Sequence, residues 1–268
     1  MTILVYTGFR SMLADERTAQ DYLTEIRTGG ANRRWPAAYE LSRLMADPKV
    51  RADRSLAPAL VAAFDEAKDD EPPVRRYLAL AIGRLDPPLP AEAVSSLTRA
   101  LDDPDSEARI TAIWALGSSG DPAVTQTLLP LFETQDAGIR KMVVYALGAL
   151  PGDAQLPTLR TALQDQEPDV RWNAAVALAR HASRDGVPVL GQMLDRDHVQ
   201  QAVKRDVAQN EDVDPVADVM ISGIRAAAVL REASLRAPIE GLSRSDKSMK
   251  VRQAAIEALK EMGSGSAS

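Results

Sequence analysis

The chain has 268 residues, of which 45% are apolar and only 4% aromatic, so it can bury a sizeable core and is too apolar to be disordered. Its formal net charge is −6, so we do not expect a general attraction to nucleic acid or to an anionic membrane surface. It contains no cysteine, which excludes disulfides, cysteine-ligated metals and thiol nucleophiles.

The first 28 residues predict an N-terminal cap followed by a first helix. The apolar run at residues 2–6 is far too short to cross a bilayer, and no signal-peptide cleavage pattern follows it. A short strand, a hydrophobic cap and the stump of an anchor in a longer form all fit this run, and we favour the cap. We therefore expect no membrane span and a cytoplasmic location, with peripheral membrane association left open.

One pattern recurs from the first helix onward. An apolar residue precedes an arginine, and small or apolar positions, Ala-Leu and often Gly follow. Relative to the arginine, apolar residues fall at −1, +3, +4 and +7, which is one stripe of a helix. Clear copies run over Val74–Gly83, Ala108–Gly117, Ile139–Gly148 and Val170–Ala179, and weaker copies begin at Arg34, Arg225 and Arg252.

Each repeat arginine lies near the start of a predicted helix, which we call helix B. An Asp-rich turn precedes helix B, and its carboxylates suit the free N–H groups of a helix start. A second amphipathic helix, helix A, precedes the turn. One such pair cannot bury its apolar face alone, so successive pairs should stack. We expect seven B helices near residues 32–46, 72–85, 106–118, 138–150, 169–182, 215–232 and 247–262.

The segment Asp165–Leu178 follows, with slight variation, the pattern Asp-x-Asp-x-x-Val-Arg-x-x-Ala-x-x-Ala-Leu. On this pattern the chain resembles HEAT repeats of the phycobilisome-lyase type, over roughly residues 30 to 262. The resemblance implies an all-α, right-handed α-solenoid of about seven helix-turn-helix repeats, with the B helices on its concave side. It also implies a structural ladder, in which turn aspartates bond the arginines of neighbouring repeats. The candidate ladder residues are Arg109, Arg140 and Arg171.

The repeats divide the chain into five predicted regions: the cap and first helix at 1–28, regular repeats at 29–195, a polar insertion at 196–214, C-terminal repeats at 215–262 and a flexible tail at 263–268. The insertion predicts an extra helix followed by an acidic loop. Because it is largely polar, we expect that deleting Asp197–Asp212 leaves a folded protein.

The residues that usually carry catalysis are sparse. The two histidines, His181 and His198, belong to no His-x-x-x-His or His-Glu pair. This counts against a metal site and against the iron-binding hydroxylases built on HEAT-like repeats, which need paired His-Glu motifs. No phosphate-binding glycine loop and no Gly-x-Ser-x-Gly elbow is present. We predict no catalytic residues, no metal and no cofactor, and hence not an enzyme.

The outward face of the first five B helices is chemically distinctive. Positions +1, +2, +5 and +9 relative to the arginine point away from the core. In these five helices the outward positions are occupied by all three tryptophans, three tyrosines, five basic residues and no acid. Such a strip predicts a groove for an acidic, extended partner. An alternative stays open, in which the aromatics fill gaps between B helices and the arginines bond turn acids. The predicted partner-binding residues are Trp35, Tyr39, Arg76, Trp114, Lys141, Tyr145, Trp172 and Arg180.

We therefore predict a scaffold that binds a protein or peptide with an acidic and apolar surface. One alternative is a nucleic-acid-binding protein similar to the HEAT-like alkylpurine DNA glycosylases, which use concave aromatics beside a catalytic carboxylate. The predicted strip has no carboxylate, so we do not expect nucleic acid as the partner. The other alternative, a bilin lyase or its chaperone subunit, is supported by the repeat type alone. The partner's identity and the oligomeric state stay open.

Overall fold

The computed structural model describes residues 17–203 and 214–263, and every regular element in these ranges is a helix. Residues 1–16 of the predicted cap, residues 204–213 of the predicted insertion and residues 264–268 of the predicted tail lie outside the described residues. The α-helices are α1 Ala19–Thr28, α2 Ala31–Leu44, α3 Pro48–Arg51, α4 Leu56–Glu66, α5 Pro72–Gly83, α6 Ala91–Arg99, α7 Ser106–Gly117, α8 Val124–Leu128, α9 Ala137–Leu147, α10 Leu156–Ala162, α11 Pro168–Arg180, α12 Val187–Met193, α13 Arg196–Ala202, α14 Pro215–Leu230, α15 Arg236–Ser245 and α16 Met249–Gly263.

The chain divides into two compact units after Ala115, inside α7. In unit 1 the A helices α1 and α4 pack on the B helices α2 and α5, and α2 packs directly on α5. In unit 2 the B helices α9, α11, α14 and α16 pack one on the next, with α10, α12 and α15 as A helices on their other side. This arrangement confirms the predicted all-α class and the stacked helix pairs of an α-solenoid.

The predicted core stripe is confirmed in all four clear copies of the repeat. Around Arg140, the positions −1, +3, +4 and +7 are Ile139, Val143, Val144 and Leu147, and all four are buried. The same positions are buried around Arg75, Arg109 and Arg171. The 3.6-residue period of a helix is therefore sufficient to separate the core face of each B helix from its outward face.

The recurring glycine lets neighbouring B helices approach closely. A Cβ atom added to Gly117 would lie 2.6 Å from Ala146 Cβ and 2.7 Å from Ala146 Cα. A Cβ atom added to Gly148 would lie 2.9 Å from the Cα of Ala177. Both distances are below van der Waals contact, so the Ala-Leu-Gly pattern reflects a backbone contact between successive B helices rather than a turn.

The arginine ladder forms at one of the three predicted positions, Arg140, and also at Arg75, which was not among them. The Arg140 side chain donates to Asp165 in two parallel bonds, Nε to Oδ2 at 2.8 Å and a terminal nitrogen to Oδ1 at 3.0 Å, and both side chains are buried. Arg75 makes the same paired contact with Asp103, from Nε at 2.6 Å and from a terminal nitrogen at 2.9 Å. Each carboxylate also accepts the backbone N–H of the residue two places later, Glu167 and Asp105 respectively.

The prediction is wrong in detail for Arg109 and Arg171. Arg109 donates to the backbone oxygens of Asp103 and Pro104, and Arg171 to those of Asp165 and Gln166. These bonds hold the turn of the arginine's own repeat, and neither guanidinium makes a described bond to a neighbouring carboxylate. In the turn that follows Arg109, the place of Asp103 is taken by Thr134, which offers no carboxylate.

The predicted insertion contains a structural element. Its first half forms α13, in which Val199 is fully buried. Arg196 donates to both carboxylate oxygens of Asp246, at 2.8 and 2.6 Å, in the turn before α16. A deletion that starts at Asp197 would remove the buried Val199, so the expectation that it uncovers little core is wrong for this half.

The glycine contact gives a test of stacking. Replacing Gly148 with Ala should destabilise the protein by about 1–3 kcal/mol, because the new methyl group meets the backbone of Ala177. Replacing Gly241 with Ala, inside α15, should stabilise it by about 0.5–1 kcal/mol, because its added Cβ meets nothing within 4 Å. Urea unfolding of both variants measures the difference; a Gly148→Ala variant as stable as the parent would contradict the close contact.

The ladder gives a test that depends on pH. The hydrogen bond from Arg140 is the largest cause that lowers the pKa of Asp165 below its ordinary value, and burial opposes it. A lowered pKa stabilises the folded state at pH values above the unfolded-state pKa of about 4. This contribution is lost as the pH falls through the folded-state pKa. Replacing Asp165 with Asn should therefore cost about 3–5 kcal/mol at neutral pH, where it strands a buried guanidinium, and less below about pH 4.

The matched control for this substitution is Asp185→Asn. Asp185 also accepts from an arginine, Arg160, at 2.6 Å, but this pair is about half exposed. At neutral pH, Asp185→Asn should reduce the folding stability much less than Asp165→Asn does, because exposed ion pairs contribute little. Equal losses in the two variants would show that burial does not set the strength of the ladder.

Candidate functional site

The outward face of the B helices in unit 2 contains a depression of about 300 Å³. Side chains from α9, α11 and α14 line it, and Met193 at the end of α12 contributes to its apolar part. Four of the eight predicted partner-binding residues meet here, because successive B helices present their outward positions side by side. They are Lys141, Tyr145, Trp172 and Arg180.

The rim of the depression holds a stacked pair, Tyr145 and Arg180. Tyr145 on α9 is 37% exposed, and the guanidinium carbon of Arg180 lies 5.6 Å from the centre of its ring. Arg180 is exposed at the end of α11 and has no ion-pair partner among the described residues. An aromatic face beneath a cation holds the cation in place while its N–H groups stay available to a ligand.

The predicted Lys141 is not an unpaired charge. Its Nζ lies 3.1 Å from Oδ2 of Asp169 on α11, and both side chains are about half exposed. Asp218, on the first turn of α14, also lines the depression and is exposed. The expectation of a basic surface without acids is therefore wrong, since two carboxylates and two cations line the depression among the residues that the structure describes.

The position of Trp172 also differs from the prediction. Its side chain is only 4% exposed, so it is no exposed anchor. The buried indole lines the depression beside Val176 and Ala177 of the same helix. For Trp172 the alternative noted from the sequence, an aromatic that fills a gap, is the one that holds.

Sequence reasoning missed Asp169 and Asp218. Asp169 lies two residues before Arg171 and one helical turn before Trp172 and Asn173, which hold the outward positions +1 and +2. The helical period therefore predicts that Asp169 lies on the same outward face. The outward positions +1, +2, +5 and +9 all follow the arginine, so none of them includes Asp169. Asp218 lies in a weaker copy of the repeat, beyond the five helices from which the outward positions were read.

In unit 1 the predicted residues form an aromatic face on α2 and α5. Trp35 and Tyr39 are 42% and 38% exposed and lie one turn apart on α2. The Tyr39 ring meets Tyr77 edge-on with 5.2 Å between centroids, and Arg43 lies over Tyr39 at 5.8 Å. Trp114 on α7 is half-buried.

Arg76, also predicted as a partner-binding residue, is paired within unit 1. Its Nε donates to Oδ1 of Asp105 at 3.0 Å. Burial raises the pKa of Asp105, but the bonds from Arg76 and from the Ala108 amide outweigh burial and hold it below the ordinary value. Arg76 and Lys141 thus occupy the same repeat position and both bond an acid of the next B-helix start. Whether the aromatic face of unit 1 and the depression of unit 2 form one strip stays a prediction.

The sequence matches the HEAT-repeat family over residues 57–148 and 131–210, which is more than half of the chain. The chain belongs to the HEAT-repeat family. A structure of the CpcE–CpcF complex of a Nostoc phycocyanin lyase superimposes with a TM-score of 0.60, covering 93% of this chain and 96% of that one at 17% identity. The superposition supports a shared fold, in agreement with the predicted repeat type.

Curated relatives of this HEAT-repeat protein match only part of it. A deoxyhypusine hydroxylase of Candida albicans is 32% identical over 111 residues, which cover 41% of this chain and 34% of the hydroxylase. An uncharacterized phycocyanin operon protein of Pseudanabaena tenuis is 29% identical over 128 residues, covering 45% of this chain and 62% of the relative. The chain thus spans about a third of the length of the hydroxylases that it matches.

These relatives correct one prediction. The chain was predicted not to be an enzyme, and the similarity to proteins named as hydroxylases contradicts that exclusion. In residues 17–203 and 214–263, no group of three or more His, Asp or Glu side chains could hold a metal ion. In the same ranges no helix has the length and apolar composition needed to cross a bilayer.

The burial of Trp172 gives a further prediction. Replacing Trp172 with Ala should cost about 3–5 kcal/mol of folding stability, because a large buried side chain is lost. Trp35→Ala is the matched control and should cost much less, since Trp35 is 42% exposed. Thermal or urea unfolding measures both variants. A Trp172 variant as stable as the Trp35 variant would place its indole on the surface, as the sequence first indicated.

Proposed function

We propose that this HEAT-repeat protein binds a segment of a partner protein at the unit 2 depression, with an apolar side chain of the partner placed over Trp172 and Val176. The observation that carries the proposal is the meeting of Tyr145, Arg180 and the buried indole of Trp172 at one concave site. Aromatic and arginine side chains around a concave apolar floor are the groups that dominate the energetics of protein interfaces.

The depression suits a side chain better than a small cofactor. Its volume of about 300 Å³ lies at the lower end of ligand pockets and is comparable to one or two large side chains. Its rim is open on the outward face, where Tyr145 and Arg180 are exposed. An extended segment of a partner can therefore cross it and place one residue inside.

The ligand's charge is the finer part of the proposal. Lys141 and Asp169 neutralise each other, so an acidic ligand gains little at that pair. Arg180 remains available, and we place an acidic group of the partner against it. Binding should weaken with salt but persist, because the apolar contact at Trp172 and Val176 is not screened.

A peptide library gives the test. Random twelve-residue peptides displayed on phage are selected against the intact chain, and the affinities of the selected sequences are then measured with purified variants. Replacing Tyr145 with Ala should weaken the selected peptides by about tenfold or more, since an exposed ring at the rim is removed. Replacing Val176 with Arg should abolish binding, because the long side chain fills the depression.

The control variant is Ile256→Ala on α16. Ile256 is 38% exposed, close to the 37% of Tyr145, but it lies outside the depression. Ile256→Ala should leave the affinities for the selected peptides unchanged. Selected peptides that bind the Val176→Arg variant as tightly as the parent would show that the depression is not the binding site.

A further inference from the structure

The depression is electrically polarised from one end to the other, and we infer that it selects a segment with a basic residue at one end, an apolar residue in the middle and an acidic residue at the other end. This inference rests on the proposed function and names the chemistry of its ligand. It differs from the purely acidic partner expected from the sequence.

The acidic end lies at the N-terminal ends of the B helices. Asp169 and Asp218 occupy the first turns of α11 and α14. Lys141, the cation at this end, pairs with Asp169. The carboxylate of Asp218 has no ion-pair partner among the described residues. One net negative charge therefore remains at this end, and a Lys or Arg side chain of a ligand would complement it.

The basic end lies at the C-terminal end of α11. Arg180 is the last residue of that helix, and its guanidinium is held over the Tyr145 ring. Among the residues that the structure describes, Asp169 and Asp218 of the helix starts are the carboxylates that line the depression. One net positive charge therefore remains here, with donors suited to a Glu or Asp side chain.

The separation of the two ends sets the length of the segment. From Asp169 to Arg180 the helix rises by roughly 16 Å at ~1.5 Å per residue, and the Arg180 side chain reaches back toward Tyr145. An extended chain advances ~3.3 Å per residue, so about four or five residues bridge the ends. The apolar middle of such a segment lies over Trp172 and Val176.

The test uses nine acetylated and amidated pentapeptides with a central Leu, spaced by Ser, that carry every combination of Lys, Gln and Glu at the two ends. Dissociation constants come from chemical-shift titration of the intact chain. The parent should bind peptides with one Lys and one Glu about tenfold more tightly than those with two Glu or two Lys.

Charge reversal at each end should change this preference in opposite directions. Arg180→Glu should make the peptide with two Lys the tightest, and Asp218→Lys should do the same for the peptide with two Glu. Arg33→Glu, an exposed position on α2 in unit 1, should keep the order of the parent.

Three outcomes would overturn the inference. A parent that binds the doubly acidic peptide most tightly, or binds all nine equally, lacks the polarity. In either of these two cases, the proposed function still stands if replacing the central Leu with Ser abolishes binding, because the Leu is the side chain placed in the depression. If no pentapeptide binds at the highest peptide concentration used, the inference fails, and the proposed function fails with it when no twelve-residue peptide selected against the chain depends on the depression either.

Discussion

The structure depends on one repeated contact, the buried pair that an arginine of one B helix forms with an aspartate of the following turn. In unit 2, Arg140 bonds both oxygens of Asp165 and at the same time the backbone oxygens of Thr134 and Gln135 in its own turn. Asp165 in turn caps the N–H of Glu167 at the start of α11. A slip of one repeat past the next would leave these charges buried and unpaired, at a cost of several kcal/mol, so the contact sets the register of stacking.

The same contact persists where the repeat is irregular, but a different element supplies the arginine. Asp246 precedes α16 as Asp165 precedes α11, and it too accepts from the residue two places later, Ser248. The repeat arginine of the preceding B helix, Arg225, is exposed. Arg196 of α13 takes its place at the carboxylate. What is retained is a guanidinium at each buried turn acid, whatever its origin along the chain, because an unpaired buried carboxylate is costly.

Most of the fold could be predicted from the sequence, because its signals are local. The period of apolar residues places the core stripe, and Asp-rich turns mark the starts of the B helices. The surface was harder, since the exposure of Trp172 depends on how closely α9 and α14 approach it, and helical period alone does not give that distance. The pairing of Lys141 with Asp169 is likewise set between repeats, so charges counted along one strip overstated its basic character.

The stacking contact has a consequence for recognition. Lys141 directly follows the clamped Arg140, and Tyr145 lies one turn further along the same helix, so their backbone positions are fixed by the ladder. The Asp165 clamp fixes the start of α11 in the same way, and Arg180 is then held by its stacking on Tyr145. A ligand that docks here orders few side chains on binding, which lowers the entropic cost of association. Selectivity at such a surface follows from the placement of a few anchors and unpaired charges, and the net charge of −6 acts mainly on the rate of encounter.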